Sequence, residues 1–219
     1  MRAKRKQYVV FGLGRFGTSA ARALSEMGHE VLAIDDHEDK VNDIAPYVTQ
    51  AMQVNATDED ALRDLELGGF DAAIVAIGSN VRDSVLISVL CKEAGVGNVI
   101  AKATDELHAK VLRKVGVDRV IFPERDMAQR LARSLSTPSI VDMLELADGY
   151  QIAEVHAPAS WAGKTLMQIN VRRNYGLTVI AIRRGTQFLT SPGADSQVMS
   201  GDMLLVMGQE EDVDAIDRK

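Results

Sequence analysis

The chain has 219 residues, a net charge of −6, and 46% hydrophobic and 26% charged side chains. That length allows one large domain or two small ones, the composition supports a buried core, and the acidic balance argues against a broad basic face for nucleic acid. One cysteine, Cys91, excludes an internal disulfide framework, and with no signal-like h-region and no run of about eighteen apolar residues, a cytoplasmic protein is expected.

In chain order, the basic run Arg2, Lys4, Arg5, Lys6 reads as a solvated tail or as a weak contact with an anionic membrane surface. A strand at 8–11 follows. It leads into Gly12-Leu13-Gly14-Arg15-Phe16-Gly17, a helical stretch at 18–24, and a second strand at 31–34 that ends in Asp35. Strand, glycine turn, helix, second strand and acid together form a dinucleotide fingerprint in its proper setting. Gly12 permits the tight turn, Gly14 lets backbone approach a pyrophosphate, and Gly17 lets the helix pack on the sheet. The free N–H groups and dipole at that helix start favour phosphate. Arg15 can fork onto phosphate oxygens or stand solvated in the loop. Asp35 can accept both ribose hydroxyls and would repel a 2′-phosphate. Asp36 reads equally as a ribose contact or a helix cap.

Further strands are expected at 49–54, 72–77, 99–101 and 119–122, with helices between them. Asp58-Glu59-Asp60 places acid on one first turn, and Asn80 and Thr104 read as N-caps. Cys91 lies on the apolar side of a helix and reads as a small buried hydrophobe. Six strands alternating with helices give an α/β, Rossmann-type doubly wound parallel sheet. A helix starts at Pro123 and runs to about 135. Residues 136–149, including 140–146, read as a connector. From 150 to 219 the texture is that of a small α+β domain: strands at 151–156, 177–182 and 203–207, a helix at 164–175 stopped by Gly176, turns at 184–185, 191–193 and 200–202, and an acidic tail helix. A domain this small has a thin core, so a partner face is expected.

The motifs GLGRFG, Ile34-Asp35-Asp36, Asn55-Ala56-Thr57-Asp58, Ala76-Ile77-Gly78-Ser79-Asn80, Ala101-Lys102-Ala103, Phe122-Pro123-Glu124-Arg125-Asp126-Met127 and Ile169-Asn170-Val171-Arg172 with Tyr175-Gly176 resemble the RCK (regulator of potassium conductance) proteins of the Trk and Ktr systems. The chain is most similar to KtrA-like members, with one N-terminal RCK domain (1–135) and one C-terminal RCK domain (150–219). The resemblance implies a non-enzymatic subunit at the inner face of the cell membrane. It implies a homo-octameric ring, a tetramer of dimers, docked on an integral-membrane potassium channel or transporter, with no nucleic-acid partner. It also implies ATP and ADP, or NAD(H), as nucleotide ligands, whose exchange gates ion flow.

Carried onto this sequence, the resemblance assigns Gly12, Gly14, Phe16 and Gly17 to the turn, Arg15 to the phosphates and Asp35 to the ribose. Asn55, Ala56, Thr57, Gly78, Ser79 and Asn80 would flank the adenine. Lys102 would lie near the phosphates, and Glu124 would help to hold a Mg or Na cation there. Read from composition alone, Glu124 is an acid favouring a helix dipole, and Asn55 is a turn residue. Arg172 matches a phosphate-contacting arginine of a cyclic di-AMP site, but Thr178 stands where that pattern commonly has Asn. Two other classes compete. An NAD-dependent oxidoreductase would need an acid or base among His29, His37, His108 and His156, none of which stands in a recognisable catalytic constellation. A nucleotide-sensing repressor would need a basic reading head.

Overall fold

The computed structural model describes residues 5–55, 58–63, 65–78, 80–136, 140–146 and 148–216. The chain divides into two compact units, Met1–Pro123 and Glu124–Lys219.

The first unit contains β1 (Gln7–Phe11), α1 (Arg15–Glu26), β2 (Glu30–Asp35), α2 (Glu38–Ile44), β3 (Gln50–Gln53), α3 (Glu59–Arg63), β4 (Ala72–Val75), α4 (Val81–Glu93), β5 (Val99–Lys102), α5 (Glu106–Lys114) and β6 (Arg119–Ile121). All six strands pair in parallel in the order β3-β2-β1-β4-β5-β6. This is the expected doubly wound sheet. The order reverses between β1 and β4, so successive right-handed crossovers place helices on opposite faces.

The two-residue alternation of β1 makes this concrete. Val9 and Phe11 join a core with Leu62 of α3, Ile87 and Cys91 of α4, and Ala109 and Leu112 of α5. Val10 faces the other way, into a core with Ala21 of α1 and Val41 and Ile44 of α2. Both faces of each central strand are covered, which is why these strands read as continuous apolar runs. Asn80 caps α4 by accepting the Asp83 N–H at 3.3 Å. Thr104 is not the cap of α5; Asp105 is, accepting the His108 N–H at 2.8 Å. A carboxylate is the stronger acceptor for a helix-start N–H.

The helix α6 (Pro123–Ser136) begins at the division and leads into the second unit, which continues with β7 (Ile140–Glu145), β8 (Tyr150–His156), α7 (Leu166–Ile169), α8 (Val171–Tyr175), β9 (Thr178–Arg184), β10 (Gln187–Thr190), β11 (Met203–Gln209) and α9 (Glu210–Asp214). Its five strands are antiparallel in the order β10-β9-β11-β8-β7. One core gathers Trp161, Tyr175, Leu177, Leu204, Val206, Val213 and Ile216, with Trp161 edge-on to Tyr175 at 4.8 Å between ring centroids.

Three expectations change here. Residues 140–145, read as connector, form β7: a register shift between Ile140 and Asp142 leaves only Ile140 and Met143 buried, so no two-residue alternation is visible. The single helix at 164–175 is two short helices, parted by Asn170 in the left-handed region at φ +51°. Residues 187–190 form β10, whose four residues are all exposed, Phe188 and Leu189 included, so no buried face marks it as a strand. Gly176 closes α8 at φ +72° as expected.

Candidate nucleotide-binding site

Residues expected at the site follow the carboxyl ends of β1 to β5, around the point where strand order reverses. The three glycines of the first turn have different physical reasons. Gly12 has φ +91°, and a Cβ there would lie 2.9 Å from Ile77 Cγ1 and 3.2 Å from the Ala76 carbonyl carbon. A Cβ on Gly17 would run into the Gly12 carbonyl oxygen and sit 3.1 Å from Ala76 Cβ. Both are required by the protein's own packing. Gly14 is not: its backbone is extended at φ −73°, ψ −174°, and a Cβ there would meet nothing within 4 Å. Gly14 thus keeps open the approach to the start of α1.

That helix start has no side-chain cap and no acid in its first turn. Its N–H groups and partial positive charge are therefore available to an anion. The loop is held from behind: Gly12 N–H donates to Ile34 O at 2.8 Å, Thr18 N–H to Gly14 O at 2.9 Å, and Thr18 Oγ1 to Leu13 O at 3.1 Å. Arg15 is exposed beside it and Phe16 is half-buried.

Asp35 ends β2 with its side chain only 5% exposed. Its Oδ2 accepts the Leu13 N–H at 2.6 Å, which ties the acid directly to the glycine loop. Its Oδ1 accepts the His37 N–H at 3.0 Å, and Lys40 Nζ reaches both oxygens at 3.0 and 3.3 Å. Burial alone would push this carboxyl up; the Leu13 N–H, the Lys40 ammonium and the His37 N–H outweigh it and hold the group below the usual carboxylate range. Asp36 is exposed, and His37 Nδ1 bridges the Asp35 and Asp36 carboxylates. Asp36 is not the cap of α2; that position is His37, which makes no side-chain cap bond. Ligand atoms of Asp35, Asp36 and His37 lie within 4.8 Å of one another, yet the Lys40 ammonium already supplies the positive charge on Asp35.

Lys40 and His37 were missed as partners of the acid. The usable signal was a lysine five residues past Asp35, within the first turn of the following helix.

Asn55 is exposed just after β3, its carbonyl accepting the Asp58 N–H at 2.9 Å in a turn. Gly78 follows β4, and a Cβ built there would lie 3.6 Å from both Cε and Nζ of Lys102. Lys102 thus ends β5 against the Gly78 loop. The side chain of Asn80 serves the cap of α4, where its Nδ2 also donates to Asp83 Oδ2 at 2.6 Å. Ala56, Thr57 and Ser79 lie outside the described residues. Glu124, in the first turn of α6, and Arg172, in α8, belong to the second unit, and both are exposed.

Cys91 is fully buried, and burial pushes its thiol up to about 12, which suits packing and not nucleophilic work. His29 packs edge-on against Tyr8 at 5.2 Å between ring centroids. His108 is buried in α5, and its Nδ1 accepts the Thr104 N–H at 3.3 Å. His156 is exposed at the end of β8. Among the described residues, no helix is long and apolar enough to cross a membrane.

The TrkA-N domain model matches residues 8–123, and the TrkA-C domain model matches 150–219. The chain is 40% identical to Ktr system potassium uptake protein C of Bacillus subtilis over 98% of this chain and 97% of that one. It is 42% identical to Ktr system potassium uptake protein A of the same organism, over 97% and 96%. Among solved structures, the GsuK channel shares the fold with a TM-score of 0.68 at 20% identity; the match takes in 97% of this chain and 39% of that longer one. With a glycine turn on a parallel sheet, both domain models in their proper order, and relatives aligned along nearly the full length, the chain belongs to the TrkA/Ktr family of RCK-domain potassium uptake proteins.

Proposed function

We propose that this chain is the regulatory, nucleotide-binding subunit of a potassium uptake system and has no enzymatic activity of its own. It works at the inner face of the membrane, against an integral-membrane channel or transporter subunit, as a homo-octameric ring built as a tetramer of dimers. The observation that carries the nucleotide part is the open approach over Gly14 to the uncapped start of α1. Glycine at 14 is otherwise unexplained, because its conformation suits any residue and its surroundings would admit a side chain. A pyrophosphate is the group that needs that space. The potassium part is supported by the names and full-length alignment of the Ktr relatives.

In this reading the α1 N–H groups hold phosphate, Arg15 adds a guanidinium fork, and Lys102 stands beside Gly78 to add a second cation. Asp35 and Asp36 meet the sugar, with Asn55, Ala56, Thr57, Gly78, Ser79 and Asn80 bordering the base. ATP and ADP are the exchanging ligands and NAD(H) is an alternative occupant. A nucleotide gates only by binding two conformations unequally. The extra phosphate of ATP supplies that inequality if it reaches Arg15 of a neighbouring subunit, with a Mg or Na cation at Glu124 offsetting the charge. Arg172 on the second domain offers a phosphate contact for cyclic di-AMP as a second input, with the Thr178 hydroxyl in place of a carboxamide.

The test is calorimetric titration of nucleotide-free protein with ATP, ADP, NADH and cyclic di-AMP, with mass determined in solution. Micromolar ATP and ADP binding to a ring-sized assembly supports the reading. Tight binding of NADH alone, to a dimer or tetramer, favours a redox enzyme or sensor. Arg15→Ala should keep ADP affinity within a few-fold while abolishing ATP stimulation of potassium flux in reconstituted vesicles; unchanged stimulation removes Arg15 from the mechanism.

A further inference from the structure

Asp35 has no spare acceptor. Leu13 N–H at 2.6 Å, His37 N–H at 3.0 Å, His37 Nδ1 at 3.1 Å and Lys40 Nζ at 3.0 and 3.3 Å already converge on its two oxygens. A carboxylate offers about four lone-pair sites. A nucleoside cis-diol would bring two more donors to the same group, so an existing partner has to leave. The two backbone donors cannot: one belongs to the glycine loop and the other to the start of α2. His37 Nδ1 has the Asp36 carboxylate as a second partner and can fall back on it. The His37 ring is the more exposed of the two side chains, but it touches only Oδ1 and its own backbone N–H holds it beside Asp35; Lys40 occupies both oxygens, which a cis-diol needs, from a flexible stem whose ammonium regains water on release.

We propose that Lys40 is a displaceable latch on the sugar-binding carboxylate. It keeps Asp35 ionised and aimed at the Leu13 N–H, and a ribose hydroxyl takes its place when nucleotide enters. This rests on the nucleotide reading above. Lys40 is thereby a positioning residue that sets how strongly the site prefers ribose to deoxyribose. In the wild type, each hydroxyl that reaches Asp35 gains a charge-assisted hydrogen bond but gives up a Lys40 contact, so the preference is damped. Removing Lys40 leaves the gain and deletes the loss.

The experiment measures ADP and 2′-deoxy-ADP affinities of the full chain as wild type, Lys40→Met and Lys40→Arg. The preference for ADP should rise about three- to tenfold in Lys40→Met, through tighter ADP binding, because one net hydrogen bond is worth about that factor. In Lys40→Arg, which keeps a cation on Asp35, it should stay near the wild-type value. Raising ionic strength on the wild type gives a variant-free check. Phosphate contacts cancel in the ratio, and screening of the Lys40–Asp35 pair should move the ratio the same way. A ratio unchanged or lowered in Lys40→Met overturns the latch, since Lys40 would then be a mere support for the loop or itself a ligand to the sugar. A wild type that binds neither nucleotide overturns the nucleotide reading as well, and that result is distinct from an unchanged ratio.

Discussion

The first unit covers both faces of its sheet, with one apolar cluster under α1 and α2 and another under α3, α4 and α5. The second unit gathers its interior on one side, around Trp161 and Tyr175. On its sheet, Glu154, Arg183, Phe188, Met203 and Leu205 line a shallow cavity of about 250 Å³. Its edges also differ, with β10 exposed throughout and four of the six β7 residues exposed. In the parallel unit the sheet is a finished scaffold, and chemistry is left to loops at its carboxyl edge. In the antiparallel unit one face of the sheet is itself surface, crossed by the partly exposed ion pair of Glu154 and Arg183.

The contrast breaks most readily at Gly17. Its backbone lies against the Gly12 carbonyl, so Gly17→Val should cost about 3 kcal/mol and lower the unfolding transition of the first unit while leaving that of the second in place. A single joint transition in calorimetry would show that the units do not fold separately. Gly14→Ala is the sharper companion. It should change stability by less than about 0.5 kcal/mol yet weaken ADP at least about tenfold by filling the space over α1. A fall in stability that matches the loss in affinity would mean that Gly14 serves the fold.

For the second unit, pH is the lever. Asp202 is buried, and the paired nitrogens of Arg184 at 2.7 and 2.8 Å, with the Met199 N–H, hold its carboxyl below the usual range. The folded state therefore takes up this proton less readily than the unfolded one. Its stabilisation is full above the unfolded value of about 3.9 and is lost as pH falls through the lower folded value. Acid should lower the second transition, and Asp202→Asn should weaken that dependence while lowering the transition at neutral pH. The smallest effect is expected at Glu154→Gln. Its ion pair with Arg183, at 2.6 Å, is partly exposed, so the cost should stay under about 1 kcal/mol. A larger loss would show that the charged pair is integral to that sheet.

Much of the first unit was legible from its residues. Its central strands β1, β2, β4 and β5 hold short apolar runs, and Gly12, Gly14, Gly17 and Asp35 sit at spacings that only a strand–turn–helix–strand unit makes useful. What escaped was set by side chains meeting through space. Lys40 on Asp35 depends on where α2 begins, which turn composition does not determine. The cap at Asp105 in place of Thr104 turned on one residue between two adequate acceptors. In the second unit, β7 hid behind its bulge and β10 behind its full exposure. The break at Asn170 rested on a backbone conformation that asparagine tolerates without requiring. Both edge strands hold apolar residues, Ile140, Val141, Met143 and Leu144 in β7 and Phe188 and Leu189 in β10, but without a two-residue alternation of buried and exposed positions to mark them.

The lone thiol has a practical consequence. Cys91 is fully buried and pushed up to about 12, so the native chain offers almost no thiolate to an alkylating reagent at neutral pH. It is therefore a nearly silent background for site-directed labelling. A cysteine introduced on an exposed turn can carry a fluorophore or spin probe without first deleting the native one, and the separation between two such probes can be followed as nucleotide is added.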